Sequence, residues 1–223
     1  MSKKNGKDYL YLIWKSETTR RQYTVGQLTK NGQYEFQYTK EIDEALEVGF
    51  VPLVAFPDLK KTYYNEKLFP AFSSRLPDRK RRDINKILEK YSLDEYDAYL
   101  LLKRSGAKLP IDNLLFVDPV FDLDSSFRRN FLIAGPRHYL GCEGEYCEKS
   151  LKITKGDEVF LEKESNNTAD DNAIKFIVVK KSFWGMFLDI IVKNLQKLLM
   201  KVGVLGHMFL VLIKIDVVMN VYM

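Results

Sequence analysis

Four groups of residues in this 223-residue chain have types and spacing that could do chemistry. Cys142 and Cys147 form a C-x4-C pair, and the chain has two histidines, His138 and His207. A zinc site takes about four such ligands, and His207 stands far along the chain. The pair therefore reads as free thiols, buried or at the surface, in a reducing compartment. The run "DRKRRD" (78–83) sets four cations side by side. It reads as a nucleic-acid patch or as the solvated first turns of a helix. Arg137 and Tyr139, at a strand end in "GPRHYLG", suit a ligand surface. Asp170 and Asn172 lie in the polar turn "ESNNTADDNAI" (164–174), where such side chains can satisfy local backbone groups. No nucleophile–base set is visible and no Gly-rich phosphate loop is present. The chain reads as non-catalytic, with no cofactor and no metal.

The elements that must position these groups follow from periodicity. "YLYLIW" (9–14), "QYTVGQLT" (22–29) and "QYEFQYT" (33–39) are aromatic and β-branched, as strands are. Asn31-Gly32 between the last two is a hairpin turn signal. "FVPLVAFPD" (50–58) reads as a further extended stretch, with prolines near each end. Leu68, Phe69, Phe72 and Leu76 share a helical face that Pro77 stops; Asp78 can cap the next helix. Ile84, Ile87, Leu88 and Tyr91 form that helix's buried stripe, and a third short helix ends at Gly106. "NLLFVDPV" (113–120) reads as a strand. Residues 8–120 thus predict an α+β unit, 121–130 a polar linker, and 131–181 a run of short strands that suits a small all-β barrel.

Composition sets the outer bounds. Apolar residues make up 46% and charged residues 29%, which describes a folded chain and not a disordered one. A net charge of +5 permits a nucleic-acid or acidic partner without demanding one. The basic start is followed by an apolar run too short for a signal peptide. The expected location is the cytoplasm.

Two stretches resemble known families. "IAGPRHYLG" (133–141) and "GDEVFLEKESNNTADDNAIKFIVV" (156–179) resemble the HIRAN domain, a small β-barrel found alone in bacteria. Asp170, Asn172, Ala173 and Ile174 match its D-x-N-A-[IV] pattern. The resemblance implies binding of single-stranded DNA at a free 3′ end. Asp170 would accept the terminal hydroxyl, Arg137 would hold a phosphate, Asn167 would form a turn and backbone contact, and His138 and Tyr139 would stack on bases. Ala169 and His138 stand where that family often has tyrosine, which weakens stacking. The hairpin-rich start, "PLVAFPD" and "LFPAFSSRLPDRKRRDINKILEKYSL" resemble the N-terminal subdomain of HipA-type toxin kinases. In some systems that subdomain is a separate protein that binds and restrains the kinase. This second resemblance implies a docking or regulatory module, an antitoxin-like partner of a serine/threonine kinase, without a catalytic core of its own.

Residues 182–223 differ from the rest: from Phe183 on they are almost wholly apolar and hold no Arg, Glu or Pro. The longest apolar run, 202–213, is too short to span a membrane and contains His207. Residues 183–201 fit an amphipathic helix, with Asp189, Lys193 and Lys197 opposite Phe187, Ile190 and Leu198. A third reading is translation out of frame. One possible coding string for 183–196, read one base earlier, gives F-L-G-Y-V-P-R-Y-Y-S-K, a continuation of HIRAN type. On that reading the barrel lacks its closing portion, and no site residue falls beyond Lys181.

Overall fold

The computed structural model describes residues 3–4, 7–119, 133–134, 140–142, 158–163, 174–178, 183–187 and 213–214. The chain divides into two compact units, Met1–Asp122 and Leu123–Met223.

The first unit is built on an antiparallel sheet. Its strands are β1 (Lys3–Lys4), β2 (Lys7–Lys15), β3 (Gln22–Asn31), β4 (Gln33–Tyr38), β5 (Tyr63–Asn65) and β6 (Leu114–Val117). The order is β1-β2-β3-β4-β5, and β6 pairs with β2. β6 takes Tyr11–Trp14 of β2 while β1 takes Lys7 and Asp8. The hairpin of β3 and β4 closes through Gly32 alone, whose φ is +77°, a value that glycine adopts at little cost. Asn31 remains in β3, paired with Gln33.

Alternation along the strands places Leu10, Leu12, Leu28, Phe36 and Tyr38 in the buried core. The β2–β3 register shifts between Leu12 and Ile13, where Val25 is the extra residue of a bulge. Gly26, opposite both Leu12 and Tyr38, leaves the space that the Phe36 ring fills. Phe36 then meets Phe56 at 4.4 Å and Phe72 at 5.1 Å between ring centroids, and Phe72 meets Phe116 at 4.9 Å. Such offset and edge contacts add to the burial of the rings themselves.

Among the described residues four short helices, α1 (Ile42–Glu47), α2 (Pro70–Ser73), α3 (Ile84–Lys90) and α4 (Ala98–Ser105), share the rest of this core with the loops that join them. Leu68, Phe69, Phe72 and Leu76 are all buried, as their spacing predicts, although only four residues of that run are helical. Asp78 does not cap α3. Its Oδ1 accepts from the Lys80 amide at 2.6 Å in a local turn, and α3 begins later, at Ile84. The side-chain cap belongs to α4, where Asp97 Oδ1 accepts from the Leu100 amide at 2.9 Å. Gly106 ends α4 in the left-handed region at φ +70°. The stretch 50–58 forms no strand; Pro52 and Pro57 deny it ladder donors, and it folds as a loop pinned by Phe56.

The second unit holds β7 (Ile133–Ala134), β8 (Glu158–Lys163), β9 (Ile174–Val178), β10 (Phe183–Phe187) and β11 (Ile213–Lys214). They form one antiparallel sheet in the order β11-β8-β9-β10-β7. This corrects the expected barrel. Closure requires the two end strands to pair, and β11 and β7 do not pair among the described residues. Phe183–Phe187 also corrects the expected helix over 183–201. It is a strand, in register with β9 from Phe183↔Val178 to Met186↔Lys175 and with β7 on its other side. Four of its five residues are aromatic or methionine, which suits a pleated surface better than a helix. Nothing in this sheet supports the out-of-frame reading. Residues 188–212 and 215–223 lie outside the described residues.

Candidate docking surface

Exposed apolar side chains mark the candidate site of the first unit. Val54 is 97% exposed, Val51 76% and Tyr64 59%. All three belong to residues 50–65, which connect α1 to β5 and include that strand. Single exposed hydrophobes are ordinary on a protein surface. Here the backbone that carries them is held by side chains from below.

Tyr38, buried at the end of β4, is the main fastening. Its hydroxyl donates to the Phe56 carbonyl at 2.9 Å and accepts from the Leu53 amide at 2.9 Å. Burial raises the Tyr38 pKa, the Leu53 amide opposes that rise, and Tyr63 adds to it. The phenol is therefore neutral at physiological pH and keeps its proton for Phe56. Phe56 itself is buried against Phe36, Tyr63, Phe69 and Phe72. Further on, the Tyr63 hydroxyl accepts from the Asp58 amide at 2.7 Å and donates to the Asp58 carbonyl at 3.1 Å. Asp58 Oδ1 accepts from the Lys60 amide at 2.9 Å. The loop thus presents Val51 and Val54 from a backbone tied at Leu53, Phe56 and Asp58. Lys60 and Lys61, a few residues further along the chain, are exposed.

Two buried polar groupings have a different character. Arg75, with a side chain 8% exposed, forms a fork with both oxygens of Asp112 and also donates to the carbonyls of Ala107 at 3.1 Å and Leu114 at 3.2 Å. Burial alone would raise the Asp112 pKa. The hydrogen bonds from Arg75 and the Leu114 amide, with the guanidinium charge, outweigh it and hold the carboxyl below its ordinary value. Lys103 Nζ sits 2.8 and 3.1 Å from the oxygens of Asp8 and 3.7 Å from Asp118. Burial first, then the charges of Asp8 and Asp118, push the Tyr99 pKa up. Both groupings tie distant segments together: the end of α2 to the start of β6, and α4 to β2 and the residue after β6. Their charges pair with one another, and we read them as structural.

The residues singled out for DNA lie elsewhere. Arg137, His138, Tyr139, Asn167 and Asp170 are outside the described residues. Asn167 and Asp170 fall in sequence between Lys163 and Ile174, which face each other across the β8–β9 pair. Cys142 is disulfide-bonded, which corrects its reading as a free thiol; the chain's other cysteine, Cys147, is outside the described residues. Among the described residues no cluster of His, Cys, Asp and Glu could hold a metal, and no helix is long and apolar enough to cross a membrane.

Periodicity did not single out Val51, Val54 or Tyr64. The usable signal was the pair of prolines in "FVPLVAFPD", since apolar residues that cannot join a ladder need another reason to be there. Comparison with known proteins bears on the same region. Residues 18–110 match the family model of the HipA N-terminal domain. The match spans the loop, the tyrosines that hold it and all four helices, and it does not reach residues 131–179, so the HIRAN resemblance gains no support from it. No curated protein and no solved structure matches the chain.

Proposed function

We propose that the HipA N-terminal domain at residues 18–110 makes this chain a non-catalytic, regulatory partner of a HipA-type serine/threonine kinase, docking through residues 51–64. The observation that carries the reading is the exposure of Val54 and Val51 on a backbone fastened by Tyr38, within the stretch that matches the family. A loop already ordered in its binding shape loses less conformational entropy on association. Apolar side chains at its tip would fill a pocket on the kinase, and Lys60 and Lys61 would lie at the polar rim. The kinase would supply the catalytic core.

The test is calorimetric titration of the full chain into a HipA-type kinase core that lacks its own N-terminal domain, with kinase activity followed in parallel. Saturable binding and a changed phosphorylation rate are expected, and both should be lost in the Val51→Asp/Val54→Asp variant. These positions are exposed, so the variant should keep its stability to within about 0.5 kcal/mol. Absent binding, or equal binding by the variant, overturns the proposal.

A further inference from the structure

The cationic turn at residues 79–82 is not used by the docking loop. Arg79, Lys80, Arg81 and Arg82 are all exposed. The backbone beneath them is fixed: Asp78 Oδ1 accepts from the Lys80 amide at 2.6 Å, the Arg81 amide donates to the Asp78 carbonyl at 3.1 Å, and the Tyr96 hydroxyl donates to the Pro77 carbonyl at 2.9 Å. The acidic residues at either end do not neutralise the run equally. Asp78 is turned onto its own turn's backbone. Asp83 is taken by Arg81, whose Nη2 lies 3.1 Å from Oδ2 and whose Nε meets Oδ1. Arg79, Lys80 and Arg82 form no ion pair among the described residues. Among the described residues the turn therefore holds three cations without an ion pair within four positions.

We infer that this turn is a contact for the phosphate backbone of nucleic acid, made by Arg79, Lys80 and Arg82. The choice over an acidic protein rests on what the surface lacks. Protein interfaces bury an apolar or aromatic centre. The exposed large apolar side chains of the described residues are at 51, 54, 64 and 111, none of them in this turn. Interfaces with nucleic acid are polar and strongly positive, and contacts to phosphate need no apolar centre. Two of the three cations are guanidinium groups, whose fork matches a phosphate. Such a contact carries no sequence preference.

The test is fluorescence anisotropy of the full chain with a labelled DNA duplex of arbitrary sequence, repeated between 50 and 200 mM NaCl. Each phosphate neutralised contributes about −0.9 to the slope of log K against log salt, so three cations contribute about −2.7, or roughly a forty-fold loss of affinity over that range. Arg79→Gln/Lys80→Gln/Arg82→Gln should make the slope shallower by about that amount. As an internal control, Arg81→Gln should change the slope less than Arg82→Gln, because Arg81 is already paired. Single variants keep the comparison usable if the triple variant folds poorly. An unchanged slope in the triple and single variants overturns the inference. So does displacement of the duplex by polyglutamate as readily as by unlabelled DNA, which would assign the turn to an acidic protein.

Discussion

Replacing Tyr38 by Phe should loosen the loop at 53–56 without altering its surface. The ring is kept, and with it the edge contact to Phe36 at 5.3 Å. One oxygen is lost, and with it the bonds to the Phe56 carbonyl and the Leu53 amide. Each bond is worth about 0.5–1.5 kcal/mol net, so the variant should lose roughly 1–3 kcal/mol. At a urea m of about 2 kcal/mol/M, the unfolding midpoint falls by about 0.5–1.5 M with m unchanged. Hydrogen exchange gives the local readout: the Leu53 amide should lose protection beyond the global loss, while the Leu28 amide, in the sheet, should not. Docking should weaken as well. Ordering one residue's backbone costs about 1–2 kcal/mol, so a loop with one more residue to order on binding would hold the kinase about tenfold less tightly. Unchanged protection at Leu53, or full affinity in a variant that is demonstrably looser, refutes the account of the loop as fastened from below.

Three other perturbations probe the unit beneath. In Gly26→Ala the new Cβ would lie 2.6 Å from Phe36 Cε2 and 2.7 Å from Cζ; the ring is held by Phe56 and Phe72, so thermal or urea unfolding should show a loss of about 1–3 kcal/mol. Arg75→Lys cannot reproduce a fork to Asp112 together with bonds to two carbonyls, and urea unfolding should show a loss of about 2–4 kcal/mol despite the retained charge. The pH profile of thermal stability should fall at both ends. Burial raises the pKa of Tyr99, Tyr38 and Tyr34 above 10, so the stability they contribute is complete below about pH 10 and is lost as pH rises through their folded values. The Asp112 pKa lies below 3.8, so its contribution is present above that value and is lost as pH falls through the folded one. A melting temperature flat from pH 9 to 11, or an alkaline loss unaltered in Tyr99→Phe, contradicts the tyrosine assignment.

Where local pattern suffices, the sequence was readable. Aromatic and β-branched residues in "YLYLIW", "QYTVGQLT" and "QYEFQYT" mark β2, β3 and β4, because such side chains pack well on a pleated surface. Gly32 marks the hairpin and Gly106 the end of α4, because both need a φ that other residues avoid. The spacing of Leu68, Phe69, Phe72 and Leu76 marks a buried face even though most of that run is not helical. Other assignments depended on partners far along the chain. Whether Asp78 or Asp97 caps a helix is decided by which amide comes within reach. Whether residues 131–187 close into a barrel depends on the pairing of strands fifty and more residues apart, which short-strand spacing does not encode; the aromatic segment 183–187 is a strand because β9 and β7 are there to receive it. The loop at 50–58 is the clearest case. Val51, Val54 and Phe56 look alike in sequence as apolar residues beside or between Pro52 and Pro57. The hydroxyl of Tyr38, thirteen to eighteen residues earlier in the chain, holds the backbone so that Phe56 is buried and the two valines meet solvent. Residue type determines which side chains would gain from burial, and only the tertiary structure decides which of them are left exposed.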